Sequence, residues 1–130
     1  EFKRLFAAFK NDYKQQKNII AAKELRIKKM LEDLNKQSFV LDPKKKKQRE
    51  EKFRQEKVDF ERYVQDKNAE FARKEKELTE RVLKQMIEVI RQIGKEKNFT
   101  MIVEEKVVLY HDSGHDLTNL AIKQYDRIHK

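Results

Sequence analysis

The sequence predicts a mainly α fold with a small β part: a long antiparallel two-helix coiled-coil arm, a small β-sheet base and a short C-terminal helix. Three observations predict it. Two long helical patterns run away from Ser38–Lys47, the stretch that holds the only proline, Pro43. The composition is 42% charged and 38% hydrophobic with two glycines, which suits long exposed helices better than a compact globule. After Asn98 the apolar period changes to short β-branched and aromatic runs.

The first helix is expected from Phe2 to about Gln37. Phe2, Leu5, Phe6, Phe9 and Tyr13 recur at three- and four-residue steps, and Ile19, Ile20, Leu25, Met30, Leu31 and Leu34 continue the stripe less regularly. That spacing gives an amphipathic helix, and its aromatic start is read as core packing rather than a cofactor box. The tip follows at Ser38–Lys47. Proline disfavours helical backbone in the residue before it, so the helix must break ahead of Pro43. Asp42 as N-cap and Pro43 at the first helical position then start a second helix. So short a connection folds two helices into an antiparallel hairpin.

The second helix is expected from Pro43 to about Lys97. Phe53 and Phe60 are seven residues apart, as are Val64, Phe71 and Leu78, a spacing that keeps one seam facing a partner helix. Glu70 with Lys74, Glu77 with Arg81 and Glu80 with Lys84 stand acid-first at four-residue steps. On an exposed face each such pair contributes ~0.2–0.5 kcal/mol. From Val82 the pattern thickens through Leu83, Met86, Ile87, Val89, Ile90 and Ile93, which marks entry into a proper core. The division is therefore an arm over 1–81, with its tip at 38–47, and a base over 82–130.

In the base, Phe99–Val103 and Val107–Tyr110 read as two strands of a β-hairpin over 99–110, joined by Glu104, Glu105 and Lys106. Both runs are almost continuously apolar, so each should be covered on both faces. An isolated hairpin is marginal in water and needs a further strand, a helix or another subunit. His111–His115 is a loop containing Gly114. Asp116 is the expected N-cap of a last amphipathic helix, 116–130, that uses Leu117, Leu120, Ile122 and Tyr125.

The net charge of +9 is unevenly spread. Residues 1–60 hold 18 basic and 10 acidic side chains, and residues 61–130 hold 14 and 13. The excess lies on the outer half of the arm and includes Lys44, Lys45, Lys46 and Lys47. Such a field attracts polyanions or acidic polypeptides over roughly 8–10 Å at physiological salt; the plainer reading of the same run is a solvated helix face. Cysteine is absent, which excludes thiol redox chemistry and thiolate metal sites. No stretch is apolar enough to span a bilayer. A chain with so small a core is expected to gain burial by oligomerising.

No enzyme, cofactor or metal is expected. His111 and His115 are four apart, but a glycine loop does not present them as ligands on one helical turn, and Asp112 and Asp116 have a simpler use in turns and caps. No GxxxxGK[ST] phosphate loop occurs.

The stretch Ile93–Asp126 carries a resemblance: a helix ending at Gly94–Asn98, an aromatic opening the run Phe99–Val103, a second run ending in Tyr110, and the helix start Asp116-Leu117-Thr118. In these features the chain resembles the Skp/OmpH family of periplasmic chaperones, at motif level over about its last quarter and in architecture throughout. The resemblance implies a homotrimer with a β-rich base and three helical arms around a cavity. It implies that unfolded outer-membrane proteins are held there without ATP, in the periplasm, and it allows transient association with a membrane surface. Family members begin with a short apolar strand before the first helix. This sequence starts at Glu1-Phe2, so that upstream first strand is expected to be missing. Phe39, Val40 and Leu41 with Lys44–Lys47 are the expected client-contact surface. Phe99, Met101, Ile102, Val103, Val107, Leu109 and Tyr110 are expected to hold the trimer. The competing readings are a basic coiled coil on nucleic acid and a structural coiled-coil adaptor. No readout module for nucleic acid is visible, so no specific nucleic-acid partner is expected. A prefoldin-like chaperone would place its hairpins between the helices rather than after them.

Overall fold

A computed structural model describes residues 2–129. The side chain of Phe2, which opens the expected aromatic stripe, and Lys130, which closes the expected last helix, lie outside the described residues. The element order is α1 (Phe2–Gln37), α2 (Pro43–Glu96), a single 3₁₀ turn (Glu105–Val107) and α3 (Thr118–Ile128). The chain divides into two compact units, one of Ala8–Glu75 and one of Glu1–Ala7 with Lys76–Lys130.

The tip forms where the proline requires it. The N–H groups of Val40 and Leu41 both donate to the Gln37 carbonyl at 3.1 Å, and Ser38 Oγ donates to the Asn35 carbonyl at 3.1 Å. These bonds use carbonyls that the end of α1 would otherwise leave orphaned. Lys46 N–H donates to the Asp42 carbonyl at 2.9 Å, so Asp42 is the flanking residue of α2 and Pro43, which has no N–H to lose, takes the first helical position.

Within Ala8–Glu75 the two helices run antiparallel. Partners rise along α1 as they fall along α2: Asp12 with Lys74, Gln16 with Tyr63, Arg26 with Glu56 and Gln37 with Arg49. Phe71 is the buried side chain of this unit, and the rings of Phe9 and Tyr13 meet it edge-on at 5.8 and 5.2 Å. Edge-to-face geometry places positive ring edges on negative faces, which favours such clusters over flat stacks.

The other unit has an apolar core. Val89 and Ile93 of α2, each 1% exposed, pack with Ala121 and Tyr125 of α3. Val82, Met86, Ile90, Ile102, Leu117 and Leu120 surround them. Tyr125 Oη donates to Gln85 Oε1 at 2.8 Å, so the ring is buried while its hydroxyl stays satisfied. The spacing 82, 86, 89, 93 is one face of a helix, which is why α2 can hold α3 along that stripe.

α2 stops without a glycine. Asn98 takes the left-handed conformation, φ 54°, with its N–H on the Lys95 carbonyl at 3.3 Å and Phe99 N–H on the Gly94 carbonyl at 3.0 Å. Asparagine tolerates that backbone better than other non-glycine residues. α3 starts two residues later than expected, with Leu117 rather than Asp116 as the flanking cap residue. Asp116 stands just before it, and its Oδ1 accepts from the Thr118 N–H at 2.9 Å and the Thr118 hydroxyl at 2.6 Å. Those two bonds hold the carboxyl below the usual carboxylate range.

The expected hairpin over 99–110 does not form within the chain. Among the described residues there is no strand; the charged turn instead winds into 3₁₀ geometry at Glu105–Val107, closed by Val107 N–H on Glu104 and Val108 N–H on Glu105. The physical reason is that two strands alone bury too little to offset their ordering, and β propensity reports packing neighbours more than backbone preference.

Candidate interaction surfaces

In the unit Ala8–Glu75, the tip turn satisfies its backbone internally and therefore turns side chains outward. Phe39 is 96% and Val40 85% exposed. Leu41 is half-buried. Lys44, Lys45 and Lys47 are exposed in the opening turn of α2, and Lys46 is half-buried. The structure thus brings the expected apolar pair and the lysine run together on one turn, and draws Leu41 and Lys46 partly inward.

In the other unit, Phe99, Met101, Val103, Val107, Leu109 and Tyr110 are all exposed, Met101 by 75% and Tyr110 by 82%. Ile102 faces the other way, against the core and close over Gly94, where an added Cβ would sit 3.5 Å from its Cδ1. Within residues 99–103 Ile102 alone anchors inward, while Phe99, Thr100, Met101 and Val103 are exposed. Beyond them the loop closes on itself. His111 Nε2 lies 3.6 Å from Glu105 Oε1, His111 Nδ1 lies 2.9 Å from the Asp112 carbonyl, and Tyr110 Oη donates to Asp112 Oδ1 at 2.9 Å. Gly114, at φ 92°, makes the turn that a side chain would oppose. Among the described residues no group of three or more His, Cys, Asp or Glu side chains converges to hold a metal ion.

Sequence reasoning missed a polar layer in the helix pair. Continuing the seven-residue step from Phe53 and Phe60 arrives at Lys67 and Lys74, and both lysines occupy the half-buried stripe of α2. Lys67 Nζ lies 2.7 Å from Glu70 Oε2, and Lys74 Nζ lies 2.8 Å from Glu70 Oε1 and 3.2 Å from Asp12 Oδ2. Hydrogen bonds from Lys67 and then Lys74 lower the Glu70 carboxyl to about 2. Glu70 and Lys74 are thus part of the inter-helix contact rather than a pair on an outer face. The heptad step was the available signal; Asp12, 62 positions away from Lys74, gave none. Lys23 also sits 4.8 Å over the Tyr63 ring, whose hydroxyl donates to Gln16 Oε1 at 2.9 Å.

The two surfaces are convex and apolar and offer no cleft of converging acids, bases or nucleophiles. They belong to a mainly helical protein built of two compact units. The sequence model of a family described as outer membrane protein (OmpH-like) matches residues 1–125, nearly the whole length, and the chain belongs to that family. No curated protein matches it. No described helix is long and apolar enough to cross a membrane.

Proposed function

We propose that this chain is an ATP-independent periplasmic holdase. It assembles as a homotrimer, binds unfolded outer-membrane proteins in a cavity between helical arms, and prevents their aggregation. The observation that carries this is the OmpH-like family match over residues 1–125, a family of chaperones for outer-membrane proteins. The surfaces supply what such a protein needs. Residues 1–81 serve as the arm, and Phe39, Val40 and Leu41 beside Lys44–Lys47 touch client segments briefly while the basic field speeds encounter with acidic ones. Residues 82–130 serve as the base. There Phe99, Met101, Ile102, Val103, Val107, Leu109 and Tyr110 hold the trimer by pairing with neighbouring copies, which gives the exposed apolar run the partner it lacks alone. Many weak contacts suit a holdase, since none of them competes with the client's own folding.

The test is light-scattering mass with and without a urea-denatured outer-membrane β-barrel protein, diluted rapidly into the sample without ATP. A trimer that keeps the client soluble as a defined complex is expected. A monomer that leaves the client to aggregate would refute the proposal. Val107→Glu with Leu109→Lys should reduce the trimer to monomer, and an unchanged mass would count against the base assignment.

A further inference from the structure

Residues 105–111 have two incompatible uses. As part of an assembled sheet Val107–Tyr110 must extend between the turn residue Glu105 and His111, and at about 3.3 Å per residue an extended run from one to the other reaches up to about 20 Å. In the single chain they are folded back, so that His111 Nε2 stands 3.6 Å from Glu105 Oε1. No glutamate and histidine side chain can bridge an extended segment of that length. The same fold is closed by the Val107 and Val108 backbone bonds of the 3₁₀ turn and by Tyr110 Oη on Asp112. While it persists, Val107, Leu109 and Tyr110 are exposed but not aligned as a strand edge.

We propose that the His111–Glu105 ion pair is a latch: it holds the unassembled base segment folded back, and it opens when Val107–Tyr110 extends against a neighbouring copy. This rests on the homotrimer reading above and adds a proton to it. The groups facing the imidazole are the Asp112 carbonyl, the Glu105 carboxylate and, at longer range, the Asp116 carboxylate. The Asp112 carbonyl first and Glu105 second raise the ring above its ordinary value of 6.5. The latch is therefore complete below pH 6.5 and is lost as pH rises through the raised value. Extension takes the ring away from Glu105, so assembly releases protons and tightens as pH rises. An exposed ion pair sets the size: up to about fivefold per chain, and so up to about a hundredfold in the three-chain constant.

The experiment measures the full chain's assembly constant by sedimentation at pH 5.5 and pH 8, alongside the His111 titration followed by NMR. In the wild type, assembly should be weaker at pH 5.5. Glu105→Gln and His111→Gln should each bring pH 5.5 assembly up to the pH 8 level, while His115→Gln should keep the pH dependence. Glu105→Gln should also move the His111 titration down. If the Glu105 substitution leaves the titration in place, or if the wild type assembles equally at both pH values, the latch is overturned and the trimer stands. A chain that stays monomeric at every pH and concentration overturns the trimer, and the latch with it.

Discussion

The two units solve the same problem with different chemistry. In Ala8–Glu75 one buried ring, Phe71, is held by Phe9 and Tyr13. The rest of the seam between α1 and α2 mixes half-buried apolar side chains such as Ile27, Met30, Leu34, Phe53, Phe60 and Val64 with polar pairs through Asp12–Lys74–Glu70–Lys67, Gln16–Tyr63 and Arg26–Glu56. In Lys76–Lys130 the contact is an apolar core around Val89 and Ile93. The first unit spreads its exposed apolar side chains singly along α1, at Tyr13, Ile19, Leu25 and Leu31, and pairs Phe39 with Val40 at the tip. The second buries more and still leaves six large apolar side chains exposed between Phe99 and Tyr110. The helix pair thus combines half-buried apolar contacts with ion pairs along its seam, whereas the other unit concentrates its burial in one apolar core.

Substitutions can break or sharpen that contrast. The largest effect is expected at Ile93→Asp, which buries an unpaired carboxylate in the core and should destabilise the base by about 4 kcal/mol or more. Hydrogen exchange should show protection lost around Val89 and Ala121. Phe71→Ala should cost about 3 kcal/mol, with the loss confined to amides between Ala8 and Glu75; a loss spread equally over Val89–Ile93 would erase the distinction between the units. Acid gives a smaller and more selective effect. Because Glu70 is lowered to about 2 from 4.5, its contribution is full above pH 4.5 and disappears as pH falls towards 2. Melting curves of the wild type and Glu70→Gln should differ at pH 5 and converge by pH 2. The smallest effect on stability is expected at the tip: replacing Lys44–Lys47 with glutamine should stabilise the fold by about 1 kcal/mol at low salt, because it takes cations away from the N-terminal turn of α2. Capture of an acidic client at low salt should nevertheless slow, as stopped-flow fluorescence would record.

Legibility in the sequence followed the range of the cause. Where covalent geometry or a neighbouring residue decides, the expectation and the structure agree. Pro43 separates α1, which ends at Gln37, from α2, which it opens; Asp116 bonds the first N–H of α3 although Leu117 is the flanking cap residue. Where a distant residue decides, they diverge. Glu70 and Lys74 read as a local pair until Asp12 joins them from the other helix. The apolar runs 99–103 and 107–110 carry strand composition, but the pairing they need is not available inside one chain. The Glu105–His111 contact follows from that absence, since only a folded-back segment brings residues six apart together. Of the two surfaces, the tip was legible as an exposed turn and the base run as an apolar segment. That the run would stand outward around a single inward anchor, Ile102, was not.

The opening turn of α2 has a further consequence. Peptide dipoles add along a helix to roughly half a positive charge at its N-terminus, and there anions stabilise and cations destabilise by ~0.3–1 kcal/mol each near the surface. α2 has no acidic residue in its first turn and instead carries Lys44, Lys45 and Lys46 there, with Lys47 next. Its start is thus electrostatically frustrated, and it lies beside exposed Phe39 and Val40. A carboxylate that docks among those lysines relieves the frustration and winds the turn more tightly. Removing the lysines relieves it as well, so the firmness of that first turn depends on the sign of the charge beside it.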